Sequence, residues 1–249
     1  MHPIIFLWSH PRSLSTAFER SFRERGDCRC FHEPFMYYHY LEKNRTPFAN
    51  FDADASHPTR YEDIKSMILD AAREQPVFVK DMGYYIREEI CADAAFFERV
   101  SHSFLIRDPA ASIASYFKLD PNFSSEEVGL EALHYLFQEA GRRSSNVPPV
   151  VDAQVLLSSP PSVMQQYCEG VGVEFLEHAL HWDAKPPADW EAVMSWHGSV
   201  SQSTGFAAPK MVSGTVVSSP PSLTHPSHLL AYYEQHKPHY DAMVAHRIE

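Results

Sequence analysis

Short apolar runs alternate with amphipathic stretches along this chain. The runs at 3–8, 28–32, 76–80, 102–107 and 149–153 have strand length, and most are rich in Ile, Val, Phe and Leu. Between them, apolar residues recur at helical spacing. Ile64, Met67, Ile68 and Ala71 share one face of a helix predicted over 59–73, and Thr59 with Glu62 forms a capping box at its start. Leu130, Leu133, Phe137 and Ala140 do the same over 125–143. Pro160-Pro161 opens a helix over 160–170 that Gly170 or Gly172 ends. The stretch 223–249 reads as a helix interrupted near Pro238, and 41–58 and the Pro-, Ser- and Ala-rich 183–222 read as long loops.

Strand and helix in alternation predict an α/β protein. The expected form is a three-layer α/β/α arrangement on a central parallel sheet of about five strands, with ligands at the C-terminal strand ends. The length of 249 residues suits one large domain, and 1–249 is read as such, without internal repeats. Hydrophobic residues make up 44% and charged residues 21%, so a soluble globular protein is expected. The net charge of −11 argues against nucleic acid or a polyanionic acceptor as partner. It leaves room for a small anion held by a few local Arg residues, and it favours a neutral or cationic co-substrate. Cys28, Cys30, Cys91 and Cys168 form no C-x-x-C pair and read as reduced thiols of a cytoplasmic protein. The first apolar run follows no basic segment and is too short to span a membrane.

Two strand-to-helix junctions carry candidate chemistry. In the first, Ile4-Ile5-Phe6-Leu7-Trp8 runs into Ser9-His10-Pro11-Arg12-Ser13-Leu14-Ser15-Thr16, and a helical pattern follows. A helix N-terminus after a hydroxyl-rich loop attracts an anion through its N–H groups and dipole, and Arg12 adds a formal charge. The loop lacks the Gly and Lys of a Walker A motif. Taken alone, it is equally a polar turn capping a core helix. In the second junction, Phe104-Leu105-Ile106 meets Arg107-Asp108-Pro109, with Asp108 placed as N-cap, Pro109 as first helical residue and Ser115 two turns on. Arg107 and Ser115 can reach one anion, or they are a surface Arg beside a helix-interior Ser.

Together the two junctions resemble the sulfotransferases that use 3′-phosphoadenosine 5′-phosphosulfate (PAPS). Pro11, Arg12, Ser13, Ser15 and Thr16 match the family's P-[KR]-S-G-[ST]-[ST] loop; Leu14 stands where Gly is common, and a positive φ there would strain it. Arg107 and Ser115 match the family's R-[DN]-P-x-x-x-x-x-S element. The resemblance implies a P-loop-like sulfotransferase fold. It implies that residues 12–16 hold the 5′-phosphosulfate and that Arg107 and Ser115 hold the 3′-phosphate. It further implies transfer of a sulfuryl group to a hydroxyl or amine of a small molecule, with adenosine 3′,5′-bisphosphate (PAP) as product and no metal required.

The segment Phe31-His32-Glu33-Pro34-Phe35 resembles that of subfamilies using a carboxylate as general base, which makes Glu33 the candidate base. The His that cytosolic relatives carry after the third strand is absent from Val77–Gly83. His32 and His10 are secondary candidates. Lys80 could reach the transferring group or hold Glu33, or be a plain surface Lys; Asp81 could position the acceptor or orient Lys80. Phe35, Tyr37, Tyr38, Tyr40, Tyr84 and Tyr85 would line an acceptor site for an aromatic or cationic compound, or simply pack the core. The segment 196–206 occupies the place of the family's nucleotide-closing loop, with Ser201, Ser203 and Thr204 as candidate contacts, but lacks its R-K-G element. Two rivals remain: a P-loop nucleotide kinase or hydrolase, and a non-catalytic nucleotide-binding relative.

Overall fold

The computed structural model describes residues 1–46, 53–144, 146–185, 203–206 and 226–249. Five strands form one sheet: β1 (Ile4–Ser9), β2 (Arg29–His32), β3 (Val77–Met82), β4 (Ser101–Ile106) and β5 (Val150–Asp152). Their order is β2-β3-β1-β4-β5, and every pair is parallel. The continuous apolar run of β1 follows from burial on both faces. Ile4, Phe6 and Trp8 enter one hydrophobic cluster, and Ile5 and Leu7 the other.

Helices α1 (Ser15–Glu24), α7 (Ala153–Ser158) and α8 (Pro160–Val171) cover the Ile5/Leu7 face through Phe18, Phe22, Leu156 and Tyr167. Helices α2 (Tyr61–Glu74), α3 (Arg87–Ala92), α4 (Ala94–Arg99), α5 (Pro109–Phe117), α6 (Leu130–Arg143) and α9 (His228–Val244) cover the other. The result is the three-layer arrangement expected from strand–helix alternation. No helix among the described residues is long and apolar enough to cross a membrane, and the four cysteines form no disulfide.

The strand order reverses at β1. The chain leaves β1 for α1 on one face and leaves β4 for α5 on the other, which opens a crevice between their ends. The ladder between the two strands stops at Trp8↔Phe104. Beyond it, Ser9 pairs with Met82 of β3, while Leu105 and Ile106 pair with β5.

Several boundaries differ from the sequence reading. The expected Thr59–Glu62 capping box does not form: α2 starts at Tyr61, whose ring packs 5.4 Å from that of Phe35, and the N-cap is an extended Arg60 without a side-chain cap. The helix read over 125–143 divides at Gly129, whose φ of 79° separates a short 3₁₀ turn (Glu126–Val128) from α6. The loop read over 41–58 is preceded by a π-helical turn, Tyr38–Glu42, that runs into it. Pro238 does not interrupt α9; docking against α5, α6 and the sheet carries the helix through it. Most of 183–222 lies outside the described residues.

Backbone strain gathers at the strand ends. Arg12, Leu14 and Glu33 have φ of 66°, 76° and 45°. For a side chain with a Cβ the left-handed region costs about 1–2 kcal/mol. Leu14→Gly is expected to leave stability within about 1 kcal/mol, because relief of this strain offsets the added chain entropy of glycine. Denaturant unfolding checks this, and a loss above about 3 kcal/mol would show that the Leu14 side chain, rather than its backbone, holds the loop.

Candidate active site

The crevice between β1 and β4 gathers the anion-binding candidates of both junctions. Leu14 caps α1 without a side-chain hydrogen bond, so the helix presents its N-terminus to the crevice. Arg107 Nη1 donates to the Arg12 carbonyl at 2.7 Å, and Arg12 Nε donates to Ser115 Oγ at 3.1 Å. Two guanidinium groups thus approach one another in a largely buried place. Burial and the neighbouring Arg107 charge lower the Arg12 pKa; burial lowers that of Arg107. An anion between them would relieve both effects. Ser13 Oγ is buried and has no hydrogen-bond partner among the described residues, which suits a phosphate or sulfate oxygen. Asp108 accepts the Ala110 N–H at 2.8 Å, the N-cap expected ahead of Pro109.

A second cluster lies at the ends of β2 and β3. Lys80 is fully buried within β3 rather than placed on the surface, and its ammonium bonds Glu33 Oε1. Tyr85 donates to Glu33 Oε2 at 3.1 Å, and the Glu33 amide donates to the Lys80 carbonyl at 2.8 Å. Burial works against the Glu33 charge; Lys80, His32 and the two hydrogen bonds outweigh it and hold the carboxyl below its ordinary range. Behind this pair stands Glu19 of α1, also fully buried. It accepts His32 Nδ1 at 2.5 Å and Arg23 Nε at 2.8 Å, and lies 3.8 Å from Lys80. Burial opposes its charge too, yet His32, Arg23 and Lys80 keep it well below the usual carboxylate range.

A family model described as a sulfotransferase domain matches residues 3–242. The chain belongs to the sulfotransferase family. Its fold agrees with two solved sulfotransferases, each at 13% identity. The enzyme from Alicyclobacillus acidocaldarius gives a TM-score of 0.58 over 100% of this chain and 98% of its own. The sulfotransferase domain from the curacin biosynthetic pathway gives 0.57 over 94% and 97%. Among curated proteins, the branched-chain-amino-acid aminotransferase-like proteins 1 and 2 of Arabidopsis thaliana are 30% and 26% identical over 217 and 210 residues. Each match takes in 83% of this sulfotransferase-family chain but spans only 37% of the relative's length.

Other candidate residues fall elsewhere. Asp81 does not orient Lys80 through a hydrogen bond. Its carboxylate accepts the Phe35 and Met82 amides at 3.0 and 2.9 Å and so holds the segment after Glu33; burial and Glu33 raise its pKa well above the ordinary value. Phe35, Tyr37, Tyr40, Tyr84 and Tyr85 are core residues, with Tyr85 reaching Glu33, while Tyr38 bonds Glu89 at 3.0 Å. Ser203 and Thr204 are bonded to Trp182, and Ser201 lies outside the described residues. His10 turns away from any base role and accepts the Arg107 amide at 3.0 Å. The sequence reading missed Glu19; a carboxylate between Phe18 and Phe22 on an amphipathic helix was the available signal.

Removing one partner of a buried ion cluster strands the others. Glu19→Gln is therefore expected to cost about 3–5 kcal/mol in denaturant unfolding. Because the folded pKa of Glu19 is depressed, its contribution is complete above the unfolded value of about 4.3 and is lost as pH falls below it. The variant should accordingly show a flatter acid limb of stability than the wild type. A cost below about 1 kcal/mol would mean that water already satisfies the cluster.

Proposed function

We propose that this protein transfers the sulfuryl group of PAPS to a hydroxyl or amine of a small-molecule acceptor. The observation that supports this most is the meeting of Arg12, Arg107 and Ser115 beside the α1 N-terminus, with the Glu33–Lys80 pair on β2 and β3 of the same sheet, where β3 neighbours β1. The donor supplies its sulfuryl group as a mixed phosphate–sulfate anhydride. In this reading Ser13, Leu14, Ser15 and Thr16 receive the 5′-phosphosulfate by backbone and hydroxyl donors at the start of α1. Arg107 and Ser115 receive the 3′-phosphate, and Arg12, bonded to Ser115, bridges the two ends.

Glu33 takes the proton of the acceptor O–H or N–H. The acceptor lone pair forms the new bond to sulfur as the bond to the 5′-phosphate oxygen breaks, and PAP leaves with that electron pair. Lys80 moves from Glu33 Oε1 to the oxygens of the transferring group. This neutralises developing charge and frees Glu33 Oε1 to receive the proton. Tyr85 keeps the other carboxylate oxygen in place. No metal ion is needed in this scheme. Buried carboxylates and a net charge of −11 favour a neutral or cationic acceptor.

Calorimetry tests the donor site. PAP is expected to bind wild type tightly, ADP with magnesium weakly, and Arg107→Ala is expected to lose the difference, a drop of about tenfold or more in PAP affinity. Equal binding of PAP and ADP would return the chain to the kinase or hydrolase reading. PAP binding without turnover on any acceptor would mark a non-catalytic relative.

Kinetics tests the base. Glu33→Gln is expected to lower kcat by about 10²–10⁴ while PAP affinity stays within a few-fold. Lys80→Met removes the cation that depresses Glu33, so the acid limb of kcat/KM should move to higher pH. An unmoved limb would take the base role away from Glu33.

A further inference from the structure

We propose that His10 is a positioning residue that ties the two anion seats of the donor site into one cradle of fixed spacing and so sets the preference for a 3′-phosphorylated nucleotide. The proposal rests on the donor reading above and goes beyond it.

His10 is the first residue after β1, at the point where β1 and β4 have parted. Their last shared rung is Trp8↔Phe104, so no ladder joins the loop at 10–14 to the segment at 107. The His10 side chain spans that gap: it is 0% exposed and its Nε2 accepts the Arg107 N–H at 3.0 Å. The His10 carbonyl accepts the Ser13 N–H at 3.2 Å, closing the turn of the phosphate loop. Arg107 donates a second bond to the same loop, from Nη1 to the Arg12 carbonyl at 2.7 Å. Two bonds, both donated by Arg107, thus fasten the loop that faces the 5′ end to the residue that faces the 3′ end.

The imidazole is also held sterically. At Gly129 a Cβ would stand 3.0 Å from His10 Cβ and 3.3 Å from Tyr84 Cδ1, and the φ there is 79°. Only glycine suits that position. Burial first, then the charges of Arg107 and His236, lower the His10 pKa to about 3. Nε2 therefore remains an acceptor throughout the neutral range. Without it the Arg107 N–H would be buried and unpaired, and Arg107 could shift relative to the loop. A nucleotide carrying only 5′ phosphates would lose little from that shift. One that must satisfy both seats at once would lose much.

The test is the ratio of affinities for PAP and adenosine 5′-monophosphate, measured by calorimetry on three proteins. His10→Leu keeps the bulk and removes the acceptor. It is expected to lower PAP affinity about tenfold and that for the monophosphate less than about threefold. His10→Gln can place its Oε1 near the Nε2 position and is expected to stay within about threefold of wild type for both. Equal losses for both nucleotides in His10→Leu, or no recovery in His10→Gln, would overturn the proposal and leave His10 a packing residue. If His10→Leu does not fold, the ratio is read on Gly129→Ala, which presses on His10 Cβ; an unchanged ratio there overturns the proposal too. A wild type that shows no preference for PAP would remove the donor reading and this proposal together, a result distinct from the loss of His10 dependence alone.

Discussion

An ammonium group buried in the middle of a β-sheet must be answered by carboxylates, and Lys80 is such a group. Desolvating it alone would cost several kcal/mol, so its place in β3 is tenable only because Glu33 and Glu19 meet it there. This one requirement organises much of the molecule. It draws β2 and α1 onto β3, through Glu33 from the end of one and Glu19 from the inner face of the other. It also places a charged pair at the C-terminal edge of the sheet, where a parallel architecture puts its ligands. His32 and Arg23 complete the charge balance around Glu19. The cluster favours one register of these elements, because each partner left alone would be an uncompensated buried charge.

The same edge holds the strained backbone. Arg12, Leu14 and Glu33 take left-handed conformations at the ends of β1 and β2. Strain of that kind persists only where the surroundings over-determine it. At Glu33 the Lys80 and Tyr85 bonds do so; at Arg12 the bonds from Arg107 and to Ser115 do so. In the proposed reaction these are the groups that must be aimed before the donor arrives. The strain and the pre-organised site are then two aspects of one arrangement.

The layers of the fold were readable because their cause is local. A run such as Ile4–Trp8 has few alternatives to a strand buried on both faces, and Asp108-Pro109 marks a helix start by its own chemistry. Contacts distant in sequence were harder to read. Nothing near Pro238 tells that α9 survives it, since the compensation comes from α5 and α6. The Thr59–Glu62 box was outcompeted by burial of Tyr61. At the site, the strand-end positions of Arg12, Glu33 and Arg107 followed from motif and order, whereas Lys80, read as following the third strand, lies inside β3. The Lys80–Glu33 pair was one of the sequence alternatives; the more distant partners were not. Glu19 is 61 positions from Lys80, and the bond from the Arg107 amide to His10 crosses 97. The tyrosines following Glu33 and β3 look like a binding surface in sequence, yet most of them fill the core.

The most direct test of the account is a crystal structure with PAP bound. The 3′-phosphate is expected against Arg107 and Ser115, the 5′-phosphate at the start of α1 within reach of residues 13–16, and the Glu33–Lys80 pair facing that 5′-phosphate. A nucleotide bound elsewhere, or with its two phosphates exchanged so that the 3′ end faces Glu33, would contradict it.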